Sequence, residues 1–327
     1  MEKPSIGKII YLLAICSFAI ILFSKVFIKN DVDIEEKISK SEKEEVIVKL
    51  ASYLQDFYVF PEKGKQMSDL INSNLIKGKY SEVNSYDSLA ELLTVELRGV
   101  VNDKHLRIRA NAEQSLSFTS LSNVALGEDY GITDAKILNN NIGYLAFDKF
   151  PKLSNSSELA VAEAMETLKD AKCIIIDLRN NGGGDPAMVQ LYCSYFFDEN
   201  PVHLNSLYLR PEQITREFYT LKEIRGKRMP DKPLYLLTSD YTFSGAEEFC
   251  YNLKHLKRAK IIGEVTGGGA HPVNAYTLNE SLIAIIPVGR AINPITKTNW
   301  ERVGVKPDSL CDSEKALDVA IQLASRN

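Results

Sequence analysis

Ser244 stands where the chain could position a nucleophile. It follows the apolar strand pattern of residues 234–238 and precedes an amphipathic helix pattern that begins at Gly245. The first N–H groups of a helix are unpaired and carry partial positive charge, so they can bind a developing oxyanion. The ordinary alternative is a helix N-cap, because serine is a preferred cap residue and Glu247 completes a capping box. Both interpretations place Ser244 at the N-terminus of a helix.

A glycine-rich turn follows a second strand pattern. The apolar run 173–178 leads into Gly182, Gly183 and Gly184, and a helix pattern begins at Pro186. Glycine permits positive φ and lets backbone N–H groups approach a bound group closely. The chain lacks the glycine-lysine pattern of a P-loop and the G-x-G-x-x-G of dinucleotide sites, so nucleotide binding has little support. An oxyanion-binding turn fits better, with a plain tight turn as the alternative.

A serine nucleophile needs a base, and histidine serves most often because its unperturbed pKa lies near neutrality. The chain has four histidines: His105, His203, His255 and His271. His255 lies at a lysine-rich helix end, and His203 has no acidic neighbour. The candidates are therefore His105, in the segment 103–106, and His271, which follows a run of glycines. Glu301 could orient the base, although a solvated loop glutamate is the ordinary alternative.

Composition excludes several functions. The 327 residues are 45% hydrophobic, which allows a substantial core, and their net charge of −4 argues against a nucleic-acid-binding surface. The five cysteines form no C-x-x-C pair, so no zinc or redox motif is present. We expect isolated buried thiols, and neither a metal nor an organic cofactor.

Residues 1–30 have the pattern of a membrane segment. The run 9–23 carries no charge and is preceded by Lys3 and Lys8. We favour an uncleaved anchor over a cleaved signal peptide or a lipoprotein signal. The bulk of the chain is then expected outside the cytoplasm, in a bacterial periplasm or cell envelope, with secretion as the alternative. The charged residues 31–43 are predicted to be a linker.

The rest of the chain divides into a helical N-terminal domain, residues 44–103, and an α/β domain, residues 104–327. Continuous apolar runs indicate strands buried on both faces, and their alternation with helix patterns predicts a layered α/β architecture. Strands are predicted at 142–147, 173–178, 234–238 and 261–265, with a hairpin around 279–280. A first helix is predicted within residues 44–60 and ends before Pro61. Further helices are predicted at 62–77, 88–100, 156–170, 186–197, 244–256 and 314–325.

Together these segments resemble peptidase family S41, the tail-specific protease family of serine peptidases, over residues 44–320. Residues 177–184 are similar to the family's D-L-R-x-N-x-G-G, and residues 304–308 are similar to its G-[VI]-x-P-D. Ser244 falls on the nucleophile of S-[AG]-x-E. The resemblance implies a ClpP/crotonase-like core that hydrolyses peptide bonds of polypeptide substrates, with homo-oligomerisation left open. A catalytically inactive lipid- or peptide-binding module on the same fold is the alternative.

The resemblance also distinguishes two catalytic branches. The C-terminal processing branch uses a lysine base. In this chain Gly268 occupies the position of that lysine. The tricorn-like and interphotoreceptor-retinoid-binding-protein-like branch uses histidine in a D-x-H-L segment, which His105 matches, and Glu301 matches its acidic partner. The implied oxyanion hole comprises the amides of Gly183 and Gly245. That branch has a serine beside its histidine, whereas this chain has Lys104, so Asp103 or a water is an alternative link to the glutamate. His271 remains the alternative base.

Overall fold

The computed structural model describes residues 37–110 and 130–326. The predicted membrane segment, residues 1–30, lies outside these ranges. Within them, no helix combines the length and apolar character needed to cross a bilayer.

In chain order, the described part begins with three helices and continues as alternating strands and helices. The elements are α1 (Lys40–Phe57), α2 (Pro61–Ile76), α3 (Tyr86–Val101), β1 (Arg107–Ala110), β2 (Ile132–Leu138), β3 (Ile142–Phe147), α4 (Asn155–Leu168), β4 (Cys173–Asp177), α5 (Pro186–Ser194), β5 (His203–Leu209), β6 (Ile214–Tyr219), β7 (Leu234–Thr238), α6 (Gly245–His255), β8 (Lys260–Gly263), β9 (Val273–Thr277), β10 (Leu282–Pro287), β11 (Gly289–Ile292), β12 (Ser309–Leu310) and α7 (Ala316–Arg326).

The helices begin where local chemistry favours them. Ser39 and Glu42 form a capping box that starts α1, within the segment predicted to be a linker. Pro61 starts α2, because proline has no N–H to lose in the first helical turn. Ser85 caps α3 by accepting the N–H of Ser88.

A six-stranded sheet forms the centre of the α/β region, in the order β12-β8-β7-β4-β3-β2. Its strands pair in parallel except for the antiparallel β2–β3 pair. All five residues of both β4 and β7 are buried, as their continuous apolar sequences predict. One face packs against α4, α5 and α6, and the other packs against α7. The layered α/β prediction is confirmed.

Two antiparallel three-stranded sheets complete the fold, in the orders β1-β10-β9 and β11-β5-β6. The first packs against α1, α2 and α3 and shares one hydrophobic core with them. Leu106 and Ile108, which follow the predicted boundary between residues 103 and 104, belong to this same core.

The parallel register of the central sheet brings two sequence-distant segments together. Ile174 pairs with Leu234, and Asp177 pairs with Leu237, so the carboxyl ends of β4 and β7 are adjacent. The glycine-rich turn follows β4, and Ser244 follows β7. The carboxyl edge of a parallel sheet is where α/β proteins commonly place their sites.

Candidate active site

Ser244 occupies a strained turn between β7 and α6. Its φ of 53° and ψ of −118° lie where residues other than glycine are rarely found. Strain of this kind persists only where surrounding contacts impose it, and it is concentrated at functional sites. Ser244 itself is only half-buried. A substrate can therefore reach its hydroxyl.

His105 faces this hydroxyl from the other side of the site. Its Nε2 lies 3.1 Å from Oγ of Ser244, although the two residues are 139 positions apart in sequence. The ring packs on Phe243, with centroids 4.6 Å apart, and the residue is only 7% exposed. Burial lowers the pKa of His105 to about 4, with the charge of Asp103 acting in the opposite direction. The imidazole is therefore neutral at neutral pH, in the form that can accept a proton.

Asp103 anchors the loop that carries His105. Its Oδ1 accepts the backbone N–H of His105 at 3.0 Å, and its Oδ2 accepts the hydroxyl of Tyr58 at 3.2 Å. Nδ1 of His271 lies 2.6 Å from the same Oδ2. Burial is the largest single influence on the pKa of Asp103 and acts to raise it, but the hydrogen bonds and charges of His271 and His105 together outweigh burial, so the pKa is lowered. Asp103 is thus an ionised carboxylate held by three donors.

Glu301 approaches the same group of side chains. Its Oε2 accepts the N–H of Ala270 at 2.7 Å and lies 3.6 Å from Nδ1 of His271. Its Oε1 is buried without a hydrogen-bond partner in the described part of the chain, as is Nδ1 of His105. One nitrogen of His105 and one carboxylate oxygen from each of Asp103 and Glu301 lie within 4.8 Å of one another. Burial raises the pKa of Glu301. The structure therefore brings Ser244, His105 and Glu301 together, with no direct bond between the imidazole and Glu301.

Asp103, His105 and Glu301 are also the candidate metal ligands among the described residues. Both oxygens of Asp103 already accept hydrogen bonds, and Nε2 of His105 faces Ser244. This bonding suits a positioned base better than a coordination site, in which a cation would need those lone pairs.

Glu247 joins the nucleophile turn to a glycine-rich loop, residues 266–269. Its Oε2 accepts the backbone N–H of Ser244 at 2.9 Å and that of Gly269 at 2.8 Å. Its Oε1 accepts the N–H of Gly268 at 2.6 Å and the hydroxyl of Thr266 at 2.5 Å. Burial raises the pKa of Glu247 to about 7, and these four donors act against that rise. Glu247, which was predicted to complete the capping box, therefore also fixes the loop that packs on His105.

The amides predicted to form the oxyanion hole lie beside Ser244. The N–H of Gly245 is the first of α6 and has no acceptor within residues 37–110 and 130–326. The N–H of Gly183, however, donates to Oδ1 of Asn181 at 2.8 Å. The N–H of Gly184 has no acceptor in the same ranges.

The positive φ of Gly183, 99°, lets the turn approach the nucleophile closely. A Cβ at this position would lie 2.6 Å from the Gly245 nitrogen and 2.8 Å from Cβ of Ser244. Only glycine fits here without displacing the nucleophile turn.

Several side chains that build the site were assigned no definite role from the sequence. Asp177 and Arg179 pair with each other, and Arg179 also donates to the carbonyl of Ser313, so the two anchor the glycine turn. Tyr58 and Asn181 lie in segments that carry the family resemblance, but no role was predicted for either side chain. The signal for Asp103 was its place two residues before a candidate base.

Comparison with known proteins identifies the family. The model of peptidase family S41 matches residues 141–310, and the N-terminal domain of Peptidase_S41 in eukaryotic IRBP matches residues 39–135. The chloroplastic carboxyl-terminal-processing peptidase 2 of Arabidopsis thaliana is 28% identical over 170 residues, covering 51% of this chain and 31% of that protein. The carboxyl-terminal-processing protease of Synechocystis is 25% identical over 174 residues, covering 53% of this chain and 38% of that protein. The chain thus spans about a third of the length of these curated relatives.

A solved structure from Parabacteroides merdae has a TM-score of 0.63 at 17% identity, covering 88% of this chain and 97% of that one. This likeness shows the fold. The family match places the chain in a peptidase family. The chain belongs to peptidase family S41.

Proposed function

We propose that this chain hydrolyses peptide bonds of polypeptide substrates, with Ser244 as nucleophile, His105 as general base and Glu301 as the residue that orients the base. The observation that carries the proposal is the 3.1 Å separation between Oγ of Ser244 and Nε2 of His105. This lies within the reach that proton transfer requires. The neutral imidazole supports the assignment, because only that form accepts the serine proton.

The proposed reaction begins when Oγ of Ser244 attacks the scissile carbonyl carbon and its proton passes to Nε2 of His105. The amide of Gly245 donates to the resulting oxyanion. The glycine turn supplies the second donor, at Gly183 once its bond to Asn181 is exchanged, or at Gly184. His105 then protonates the leaving amine, and water hydrolyses the acyl-enzyme by the same route. Each oxyanion donor contributes about 3 kcal/mol to such reactions.

Glu301 orients His105 indirectly in this proposal. Nδ1 of His105 and Oε1 of Glu301 are both buried and both lack partners in the described chain. Buried polar atoms are rarely left unsatisfied, so a bridging water or a small rotation of the carboxyl group would satisfy both. Either arrangement places a negative charge beside the imidazolium that forms during the reaction.

A lysine base in the glycine-rich loop is incompatible with this structure. Gly268 occupies the position of the lysine in the C-terminal processing branch. Its φ is 81°, and a Cβ there would lie 3.0 Å from the carbonyl carbon of Arg302. At Gly269 a Cβ would lie 2.7 Å from Cε1 of His105. The loop therefore leaves room for the histidine and none for a longer side chain. This supports histidine as the base.

A fluorophosphonate probe tests the proposal, because it reacts with activated serines. We expect labelling of the wild-type chain at Ser244, its loss in Ser244→Ala, and loss of peptide cleavage in the same variant. Thermal unfolding of both proteins establishes that the variant is folded. Absence of labelling and cleavage in well-folded wild-type protein, with lipid or peptide retained through purification, would instead support the inactive binding module.

We further propose that residues 1–30 anchor the chain in a membrane with the peptidase region outside the cytoplasm. The uncharged run 9–23 supports this placement. Extraction of membranes with carbonate should leave the full chain in the pellet, and external protease should degrade it in cells with a permeable outer layer. Release by carbonate, or protection from external protease, would contradict the anchor or its orientation.

A further inference from the structure

The loop of residues 267–270 has a fully hydrogen-bonded backbone. Every N–H group and every carbonyl of these residues has a partner. The partners come from distant segments of the chain and are the side chains of Lys104, Glu247, Trp300 and Glu301 and the backbones of Thr242, Ala291 and Arg302. Glycine alone would leave such a loop free to adopt many shapes. These bonds therefore give it one fixed shape.

Gly269 is the residue of this loop that contacts the proposed base. A Cβ at Gly269 would lie 2.7 Å from Cε1 of His105 and would collide with the ring of Phe243. The α-carbon of Gly269 therefore lies against both rings. The two rings also pack on each other, with centroids 4.6 Å apart. The imidazole of His105 is thus held by contacts with Phe243 and with the loop.

Packing matters for this imidazole because only one of its nitrogens faces a hydrogen-bond partner. Nε2 of His105 lies 3.1 Å from Oγ of Ser244, whereas Nδ1 has no partner in the described part of the chain. In a Ser-His-Asp triad, by contrast, a carboxylate bound to Nδ1 fixes the orientation of the ring. The direction of His105 towards Ser244 therefore also depends on the position of Gly269.

Trp300 fixes the carbonyl of Gly269. Its indole N–H donates to that oxygen at 2.7 Å, and the side chain is only 2% exposed. The indole also packs on Tyr251 of α6, with centroids 5.2 Å apart. A buried tryptophan N–H usually has a partner, so the bond by itself would indicate only a stable core. Here, however, the acceptor belongs to the residue that contacts His105, so loss of the bond would disturb the loop and the imidazole together.

We infer that Trp300 is a positioning residue, whose N–H holds Gly269 in place and thereby keeps His105 directed at Ser244. The inference rests on the proposed function, in which His105 is the base. A displacement of about 1 Å in such geometry can reduce a catalysed rate by about 10²-fold. Trp300 is buried and acts through the base, so its loss should appear in kcat rather than in KM.

Replacing tryptophan with benzothienylalanine during expression tests this role at a single atom. The chain contains one tryptophan, so only Trp300 is replaced. The analogue keeps both fused rings and substitutes sulfur for the N–H, so the shape is retained and the donor is lost. We expect kcat for peptide cleavage to fall at least about tenfold, with KM nearly unchanged.

Two controls separate this effect from a loss of stability. Fluorotryptophan retains the N–H and should retain the wild-type kcat, which excludes an effect of analogue incorporation itself. Tyr80→Phe removes a different buried donor, between α2 and α3, where the hydroxyl of Tyr80 donates to Oε2 of Glu96 at 2.6 Å. This variant should lower Tm, as the benzothienylalanine chain should, but leave kcat unchanged.

The titration of His105 provides a readout that requires no turnover. NMR of ¹⁵N-labelled histidine rings follows each of the four histidines, and the His105→Gln protein identifies the signal of His105. Burial holds the pKa of His105 at about 4 in the wild-type chain. If the loop moves in the benzothienylalanine chain, the imidazole gains solvent and its pKa should rise towards the usual value. Tyr80→Phe should titrate as the wild type does.

An unchanged kcat and an unchanged titration of His105 in the benzothienylalanine chain would overturn the inference and leave the peptidase assignment standing. A wild-type chain that cleaves no peptide, together with a His105 pKa that still rises in the benzothienylalanine chain, would remove the peptidase assignment and leave the packing role of Trp300. An equally large loss of kcat in Tyr80→Phe would show that stability alone is involved, and this too would overturn the inference.

Discussion

Nδ1 of His271 lies 2.6 Å from Oδ2 of Asp103, and both side chains are buried. The pKa of Asp103 is lowered, so its carboxylate only accepts, and Nδ1 of His271 must carry the hydrogen. Oδ1 of Asp103 meanwhile accepts the backbone N–H of His105. His271 therefore acts on His105 through Asp103, which makes it a positioning residue in our proposal rather than the base.

The two histidines should respond differently to substitution. His105→Ala removes the proposed base, and we expect kcat to fall by about 10² to 10⁴. His271→Gln should cause a smaller loss, because the amide can still donate to Asp103. Single-turnover rates on one peptide, together with thermal unfolding of both variants, make the comparison. A larger catalytic loss in a folded His271→Gln protein would make His271 the base.

The pH dependence of kcat/KM should reveal the buried state of His105. Burial lowers the pKa of its imidazole to about 4, so the base stays unprotonated well below its usual pKa. We expect kcat/KM to persist as pH falls through 6.5 and to decline only towards about pH 4. A single acid limb centred near 6.5 would show instead that the free enzyme has a solvated base.

Stability should change in the same pH window, with a definite sign. The unfolded chain takes up the His105 proton below about 6.5, whereas the folded chain resists protonation until about 4. The contribution of His105 therefore lowers the free energy of unfolding as pH falls between these values. Urea titrations of the wild type and His105→Gln should show a shallower decline in the variant, and parallel declines would contradict the assignment.

Glu247→Gln should weaken both the nucleophile turn and the loop under His105. The carboxylate accepts four hydrogen bonds, whereas an amide offers one oxygen and an NH₂ that faces donors. We expect a loss of about 1–3 kcal/mol in the free energy of unfolding. We also expect reduced fluorophosphonate labelling of Ser244. Exposed Glu199→Gln is the control, and equal stability of the two variants would remove Glu247 from this role.

The fold was most predictable where burial dominates the sequence. The bounds of β3 and β7 are those predicted, because continuous apolar runs leave little choice between strand and loop. The β5–β6 hairpin was not predicted. Five of the six residues of β6 are exposed, so the strand carries no alternation to recognise.

The site was predictable in its residues and less so in its connections. Ser244 and His105 were chosen from local sequence and resemblance, and the structure places them within hydrogen-bond reach. The Asp103–His271 contact joins residues 168 positions apart and depends on how β1, β10 and β9 assemble. The spacing of residues in the sequence does not reveal how these strands pair.

Gly269→Ala should disable the site by displacing the base. A Cβ at this position would collide with the ring of Phe243 and would lie 2.7 Å from Cε1 of His105. Since these two rings pack together, the added methyl group should push His105 away from Ser244 and sharply reduce labelling and turnover. Gly99→Ala is the matched control, because Gly99 lies in α3 with nothing within 4 Å of its Cβ position. That control should leave activity unchanged and raise the free energy of unfolding by about 0.5–1 kcal/mol. If Gly269→Ala retained full turnover, the close packing of the loop on His105 would have no part in catalysis.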